Sequence, residues 1–202
     1  MLDAGCGTGR LAAALARDSS VWGIDASPEM LAVARERVPA GVRLKQARAE
    51  APPFKAGWFD RAVYWLVVHL LDRPQAFRAA HRLLAPGGRA CVVTFDSTYF
   101  SDYWLNRYFP RFEAIDRARF PTAESLEAEL REAGFERVRL LRHRQSDQLG
   151  RDQALAKVAG RHISTFDLLE LEEYEEGRAR VERELPDVVQ YEIHWLVAIA
   201  ER

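Results

Sequence analysis

The chain has 202 residues, a formal net charge of −1 and a hydrophobic fraction of 48%. This length fits one domain with a substantial core, and the near-neutral charge gives no general electrostatic reason to bind nucleic acid or a membrane surface. Two cysteines are too few for a disulfide framework, and the five histidines show no ligand spacing. We therefore predict one cytoplasmic domain, residues 1–202, with no nucleic-acid partner, no membrane partner and no metal, and leave its oligomeric state open.

The first half of the chain alternates between two kinds of segment. Five segments are predicted to be strands: 1–4, 21–25, 42–46, 60–66 and 89–95. All of them except 42–46 are mainly apolar, as buried strands are. Three segments between them have helical periodicity: 11–17, 27–38 and 74–84. The second helix is predicted to have Ser27 as its N-cap and an apolar face of Met30, Val33, Ala34 and Val38. Such alternation indicates βαβ units, and therefore an α/β fold with a doubly wound, mostly parallel sheet.

The second half is less regular. Residues 96–120 are rich in aromatic side chains and have no clean period. We predict helices at 122–133 and at 164–185, where glutamates come early and arginines late, as the helix dipole favours. Strands are predicted at 137–144 and 190–200. The basic side chains of 137–144 are interpreted as a solvated strand face, with an anion or RNA contact as the alternative.

A glycine-rich loop, residues 3–9 (DAGCGTG), lies between the first strand and the first helix. Glycines let the backbone turn sharply and approach a ligand, and ligands of doubly wound sheets bind beyond the carboxyl ends of the strands. The spacing G-x-G-x-G differs from the dinucleotide pattern G-x-G-x-x-G. Asp25 ends the second strand and can accept hydrogen bonds from both hydroxyls of a ribose. The loop and this acid predict a nucleoside ligand; the alternative is that Asp25 only caps the helix that begins at Ser27.

Several spaced segments resemble one enzyme family. LDAGCGTGR resembles motif I of the class I methyltransferases that use S-adenosyl-L-methionine (SAM), VWGIDASPEML resembles their second motif, and RLLAPGGRACVVTF resembles the segment around their fifth strand. AEAPPFKAGWFDRAVYWLVVHLL is similar to the methyltransferase type 11 group, close to the quinone-biosynthesis C-methyltransferases. The resemblance covers residues 1–95. It implies a seven-stranded, mostly parallel sheet with an antiparallel last strand, SAM as the cofactor and S-adenosyl-L-homocysteine (SAH) as its product.

The same resemblance implies a division of labour within the domain. Residues 1–95 would be the cofactor-binding half, and residues 96–202 would supply the acceptor site, a lid and the closing strands. The family normally has helices before motif I, and these are absent here. Either the start codon has been placed too late, or residues after 95 provide the cover, which is the interpretation we favour.

The resemblance also implies roles for particular residues. Around the methionine part of SAM it places Asp3, Gly5, Gly7 and Gly9, with Cys6 as a small residue of the same loop. Asp25 would hold the ribose, and around the adenine it places Ala26, Met30, Arg48, Ala49 and Glu50. Leu66 would contact the amino-acid end through its backbone. At position 48 the family usually has an acid that accepts from the adenine amino group, whereas arginine offers only donors. Either a backbone carbonyl substitutes for that acid, or adenine recognition is weaker.

Methyl transfer from a sulfonium is a direct displacement, so the protein mainly aligns the reactants and excludes water. A base is needed only if the acceptor must lose a proton. His69 resembles the first of two histidines common in this group and is the candidate catalytic base; the alternative is a helix-start histidine bonded to backbone. Candidate acceptor contacts are Tyr99, Tyr103 and Trp104, with Arg107 or Arg111 for a carboxylate. Core packing is the alternative for the aromatic side chains.

The leading hypothesis is a SAM-dependent methyltransferase that acts on a small molecule. Tyr64-Trp65 stands where enzymes that methylate nucleic-acid amino groups have Asn/Asp-Pro-Pro-aromatic, which argues against a DNA substrate. One alternative is a catalytically inactive, methyltransferase-like protein that binds SAM or a partner. The other alternative is a nicotinamide-dependent oxidoreductase. The acceptor and the attacked atom are not determined by the sequence.

Overall fold

A computed structural model describes residues 1–202. The seven strands are β1 (Leu2–Ala4), β2 (Trp22–Asp25), β3 (Arg43–Gln46), β4 (Phe59–Trp65), β5 (Leu84–Phe95), β6 (Arg137–Gly150) and β7 (Val188–Glu201). The seven α-helices are α1 (Arg10–Leu15), α2 (Pro28–Arg37), α3 (Arg73–Leu83), α4 (Phe112–Arg119), α5 (Ala123–Glu132), α6 (Arg151–Ala159) and α7 (Leu171–Glu184). Short 3-10 turns cover Val68–Leu70, Ser97–Tyr99, Trp104–Arg107 and Ser164–Leu168. No helix is both long enough and apolar enough to cross a membrane.

The strands form one sheet in the order β3-β2-β1-β4-β5-β7-β6. The pairs β1–β2, β1–β4, β2–β3 and β4–β5 are parallel. Along β5 and β7, Gly87 N donates to Arg202 O while Asp96 N donates to His194 O, so these two strands run in opposite directions. The doubly wound sheet and its antiparallel last strand are thereby confirmed.

The chain divides into two compact units. The first comprises Met1–Thr94, Thr122–Leu141 and Leu196–Arg202, and the second comprises Phe95–Pro121 and Arg142–Trp195. The core of the first unit is built on side chains that are almost fully buried: Leu2, Ile24, Tyr64, Phe77, Leu126 and Leu196. Helices α3 and α5 are joined in addition by Arg73 Nε and Glu129 Oε2, which lie 2.7 Å apart.

Aromatic side chains dominate the core of the second unit. The Phe109 ring lies 5.1 Å from the Phe112 ring and 5.1 Å from the Phe166 ring, measured between centroids. A separate group joins Phe95, Tyr99, Phe100 and Phe120. The aromatic stretch that showed no period therefore consists of two 3-10 turns and α4, whose rings meet through tertiary contacts rather than through one helical face.

The structure corrects three local predictions. The helix predicted over 164–185 is a 3-10 turn followed by α7, because Leu169 is extended (φ −86°, ψ 147°) and buried among the aromatic rings of its unit. Helix α6 was not predicted. On α2 the buried residues are Leu31 and Ala34, whereas Met30 and Val33 are 46% and 44% exposed. Of the predicted apolar face of α2, Ala34 is therefore confirmed and Val38 is half-buried, whereas the prediction is wrong for Met30 and Val33, and the exposed Met30 can serve a ligand.

Candidate functional site

The candidate site lies in the first unit, where β1 and β4 are neighbours. From β1 the chain continues to β2 and β3 on one side, and β4 starts the other half of the sheet. The order of the strands reverses at this point, and doubly wound sheets bind their ligands beyond the carboxyl ends of the strands at such a switch. Residues 5–9 follow β1 and residues 66–71 follow β4, so both loops border the same cavity.

The glycine loop is shaped by positive backbone angles. Gly5 has φ 74°, and a Cβ on it would lie 2.4 Å from Val67 Cγ2. Its N–H and that of Cys6 both donate to the Ile24 carbonyl, at 2.8 and 2.9 Å. Gly7 has φ 50°, but a Cβ there would meet no atom within 4 Å. Gly5 is therefore required by packing against the β4 side, whereas Gly7 borders open space where a ligand can approach the backbone.

Asp25 connects the glycine loop to the start of α2. Its Oδ2 accepts from Gly7 N at 2.8 Å and its Oδ1 accepts from Ser27 N at 2.9 Å. Ser27 is the predicted N-cap, with Oγ accepting from Met30 N at 3.1 Å. Each carboxylate oxygen offers two acceptor sites, so the capping bonds leave capacity for hydroxyl donors. The capping interpretation and the ribose interpretation of Asp25 are compatible.

Two cavities border Asp25. The larger has a volume of about 790 Å³, within the range of small-molecule sites. Its polar lining includes Asp3, Asp25 and Ser27, and its apolar rim includes Met30, Trp65 and Leu70, which are 46%, 45% and 58% exposed. Exposed apolar side chains grouped around carboxylates suit a ligand with a flat, apolar body and polar substituents.

The smaller cavity, about 150 Å³, is lined by the residues predicted at the adenine edge: Ala26, Arg48, Ala49 and Glu50. It shares Gly5, Asp25, Val67 and Leu70 with the larger cavity. Arg48 Nη2 lies 3.1 Å from Glu50 Oε1, the atom that also accepts from Asp72 N at 3.1 Å. The two groups of predicted cofactor residues therefore meet around Asp25.

Asp3 lies at the base of the larger cavity and is 1% exposed. Its Oδ2 has no hydrogen-bond partner, and burial raises the pKa of the carboxyl to about 7. Burial also raises the pKa of the Cys6 thiol, to about 12. A thiol with this pKa stays protonated, in keeping with a small loop residue rather than a redox group.

The titration of Asp3 predicts a pH dependence of stability. Because the pKa of Asp3 in the folded state (about 7) exceeds the ordinary value of 3.8 for an aspartate, the folded chain binds one extra proton between these pH values. The stabilisation of the folded state by this proton is complete below pH 3.8 and is lost as the pH rises to about 7. We expect Asp3→Asn to remove this loss, and to raise the free energy of unfolding at about pH 8 by up to roughly 4 kcal/mol relative to wild type.

Urea unfolding at several pH values measures this effect. Asp18→Asn is the matched control, since Asp18 is exposed. Parallel pH profiles for wild type and Asp3→Asn would contradict the assignment.

Leu66 directly follows β4 and has the left-handed conformation, with φ 50°. Its N–H still pairs with the Val93 carbonyl at 2.8 Å. A non-glycine residue in this conformation costs about 1–2 kcal/mol, and such strain often occurs where a backbone serves a ligand. The turn at Leu66 directs the following segment, with Val67 and Leu70, along the cavity wall.

Two predicted site residues of the first unit do not line the cavities. Gly9 is the N-cap of α1 with φ 76°, and a Cβ on it would lie 2.7 Å from Val38 Cγ1, so it serves the packing of α1 on α2. His69 lies in the 3-10 turn after β4, where Val67 and Leu70 border the cavity and His69 does not. Its role as a base stays a prediction.

Several lining residues were missed by the sequence reasoning. These are Thr8, Arg10, Leu11, Ala14, Ser27, Ala47, Trp65, Val67, Leu70 and Leu71. For Trp65, the alternation of side chains along β4 could have predicted this position. Tyr64 is buried, so the neighbouring Trp65 must point to the opposite face of the strand. A tryptophan at the carboxyl end of a central strand marks a ligand wall when its neighbour fills the core.

The predicted acceptor contacts lie in the second unit. Tyr103, Trp104 and Arg107 line a cleft of about 380 Å³, together with Val188 and Val189. The Arg107 guanidinium lies 5.8 Å from the Tyr108 ring centroid. Tyr99 does not line the cleft; it is 5% exposed and packs on Phe95 at 4.7 Å. Arg111 is paired with Glu173 at 3.0 Å. The structure thus groups three of the five predicted contacts, and Tyr99 and Arg111 lie outside the cleft.

Comparison with known proteins gives three findings. Residues 1–88 match the family model described as a methyltransferase domain. The chain is 32% identical over 168 residues to the 2-phytyl-1,4-naphtoquinone methyltransferase of Thermosynechococcus vestitus, covering 68% of this chain and 72% of that one. It is 33% identical over 165 residues to the demethylmenaquinone methyltransferase of Thermus thermophilus, with coverage of 67% and 73%.

The fold has counterparts among solved structures. The phosphoethanolamine N-methyltransferase 2 of Haemonchus contortus in complex with SAM superposes with a TM-score of 0.63 at 21% sequence identity. The match covers 100% of this chain and 48% of that one. At this identity the likeness shows the fold alone.

Proposed function

This chain belongs to the class I SAM-dependent methyltransferases, and on that premise we propose that it methylates a small acceptor with a flat, largely apolar ring. The enzyme class, the cofactor SAM and a small-molecule acceptor follow from family membership. The kind of acceptor is our proposal. Its main support is the cleft lined by Tyr103 and Trp104, and the two relatives are named for ring-bearing quinone-type substrates.

The residues that line the paired cavities fit SAM. The partnerless Oδ2 of the buried Asp3 suits a cationic group such as the ammonium of the methionine part. The open space at Gly7 lets a ligand reach the backbone. Asp25 retains acceptor capacity for ribose hydroxyls, and Met30 offers an exposed apolar side chain to the adenine. We propose these contacts, with the backbone of Leu66 at the amino-acid end.

When bound, SAM supplies an electrophilic methyl group. The chain's own part is to bind, orient and shield. Asp3 orients the amino-acid part of SAM, and Asp25 orients its ribose. The apolar rim of Met30, Trp65 and Leu70 excludes water from both parts. For an acceptor that must lose a proton, His69 is our candidate base, and His69→Gln should then lower kcat without weakening SAH binding.

The experiment that tests the proposal is isothermal titration with SAH, followed by transfer of a labelled methyl group to a panel of ring acceptors. We expect micromolar SAH binding and transfer to at least one naphthoquinol or hydroxylated aromatic acid. Absence of SAH binding would refute the cofactor site. Binding of SAH together with transfer only to aliphatic acceptors would refute the proposed acceptor class and keep the cofactor site.

The acceptor cleft makes its own prediction. Trp104→Ala removes one aromatic wall, and we expect the KM for the acceptor to rise about 10-fold or more while SAH affinity stays within about twofold. Arg107→Ala should raise the KM only for acceptors that carry an anionic group. Steady-state kinetics measure both effects. Arg117→Ala is the control, since Arg117 is paired with Glu113 on α4. An unchanged KM in Trp104→Ala would reject the cleft as the acceptor site.

We also propose that the protein works in the cytoplasm without a nucleic-acid partner. Both cysteines are free, as a reducing compartment favours, and the net charge of −1 gives no basic surface on the whole-chain scale. Fractionation of the native host locates the protein, and a mobility-shift assay at low salt with duplex DNA and RNA tests the second statement. Tight, salt-sensitive binding would contradict it.

A further inference from the structure

The recognition of adenine needs an acceptor for its exocyclic amino group, and the side chain at position 48 cannot provide one. Arginine carries only donors, and Arg48 lines the small cavity beside Ala49 and Asp25. A side-chain acceptor for the amino group must therefore come from another residue of this cavity. This inference rests on the cofactor site proposed above.

Two carboxylates, those of Asp25 and Glu50, line this cavity, and Asp25 is assigned to the ribose, which leaves Glu50 for the adenine amino group. The Glu50 side chain is only 6% exposed, whereas that of Arg48 is 70% exposed. Both hydrogen bonds of Glu50 within the chain end on one oxygen: Oε1 accepts from Arg48 Nη2 and from Asp72 N, each at 3.1 Å. The second oxygen, Oε2, makes no hydrogen bond within the chain. A carboxylate held in this way is fixed in orientation and keeps one oxygen for a ligand.

Arg48 explains how such a carboxylate is kept in place. A buried carboxylate is costly unless it has a charged partner and hydrogen-bond donors. The Arg48 guanidinium provides the positive charge from the solvent side. The backbone N–H of Asp72, the N-cap residue of α3, provides the second donor. An arginine at position 48 is thus consistent with Glu50, two residues later, taking over as the acceptor for the adenine amino group.

We propose that Glu50 Oε2 accepts the hydrogen bond of the adenine amino group, and that Arg48 is a positioning residue that orients this carboxylate. Glu50 thereby selects a 6-aminopurine over a 6-oxopurine. A 6-oxo group would place an acceptor against a carboxylate oxygen, leaving both without a donor.

The test compares SAH with its inosine counterpart, S-inosyl-L-homocysteine, by isothermal titration. Wild type should prefer SAH by about 10- to 100-fold, as expected for a hydrogen bond to a charged group. In Glu50→Gln the amide oxygen can still accept from Asp72 N while the NH₂ group takes the place of Oε2. That variant should bind SAH more weakly and the inosyl analogue more tightly, so that the preference falls to within about threefold.

Two variants complete the design. Arg48→Ala should lower the preference for SAH only partly, because Asp72 N still holds Oε1. Lys45→Ala is the matched control, since Lys45 is exposed on β3 next to this region, and it should keep the wild-type preference. If Glu50→Gln does not fold, the wild-type protein is titrated with SAH and with the N6,N6-dimethyladenine analogue of SAH. This analogue lacks amino donors and should bind about 10- to 100-fold more weakly than SAH.

The outcomes separate this inference from the proposed function. Tight SAH binding with an undiminished preference in Glu50→Gln, or equal binding of the dimethylated analogue by wild type, overturns the role of Glu50 and leaves the cofactor site intact. Failure of wild type to bind SAH at all overturns both.

Discussion

Asp25→Ala is expected to weaken SAH binding by about 2–4 kcal/mol, which is roughly 30- to 900-fold, because two hydrogen bonds from ribose hydroxyls to a carboxylate are lost. The structure adds a second consequence. The same carboxylate accepts from Gly7 N and Ser27 N, so its removal also loosens the glycine loop. Reduced affinity by itself would therefore not separate ribose recognition from loop support.

A ligand series makes this distinction. Wild type and Asp25→Ala are titrated with SAH and with its 2′,3′-dideoxy analogue, which lacks both hydroxyls. If Asp25 holds the ribose, wild type prefers SAH strongly and the variant has almost no preference, because the two changes remove the same bonds. If Asp25 only supports the loop, the variant binds both ligands more weakly and by the same factor. Asp18→Ala is the matched control, since Asp18 is exposed beyond α1.

Gly5→Ala is expected to lower the free energy of unfolding by about 2–5 kcal/mol. A left-handed backbone at a non-glycine residue contributes about 1–2 kcal/mol of this, and overpacking contributes about 1–3 kcal/mol more. The overpacking arises because the new methyl group would lie 2.4 Å from Val67 Cγ2, which is part of the core. Chemical denaturation measures the difference, with circular dichroism as the check that the native fold is retained.

Gly7→Ala is the natural comparison for this change. Gly7 has a positive φ of 50°, as Gly5 has one of 74°, but a methyl group added at Gly7 would meet no atom within 4 Å. We expect a loss of only about 1–2 kcal/mol in stability, together with a marked loss of SAH affinity because the methyl group occupies cavity space. The two glycines thus separate a packing role from a ligand role. Equal stability losses in both variants would show that the Val67 contact is unimportant.

Val67→Ala tests the steric part directly. Removal of the Val67 methyl groups creates room for the new Cβ, so the double variant Gly5→Ala/Val67→Ala should be more stable than the sum of the single losses predicts, by about 1–3 kcal/mol. The left-handed backbone penalty would remain. Strict additivity would contradict the close contact between these residues.

Much of the candidate site could be predicted from local sequence. The glycines after β1, the acid that ends β2 and the capping serine of α2 each express a backbone requirement within a few residues of the chain. The alternation of apolar strands with helices likewise decided the class of sheet. These features were predicted correctly because the residue type at each position carries the information.

Other parts of the site depended on residues far apart in the chain. Gly5, Gly7 and Gly9 look equivalent in the sequence, yet one packs on the β4 side, one borders the cavity and one packs on α2. The exposed rim of Met30, Trp65 and Leu70 comes from three separate segments. No periodicity within a single segment could have grouped these side chains.

The sequence by itself determined the doubly wound sheet, the ligand-binding end of that sheet and the residues that turn the chain there, since propensity, capping and glycine conformation act over a few residues. Only the tertiary structure decided that Leu169 interrupts the helix predicted over 164–185, that Arg48 is bound to Glu50, and that Asp3 is buried with a raised pKa. Burial, charge pairing and aromatic packing arise only when distant segments come together, and for that reason they lie outside what local sequence can specify.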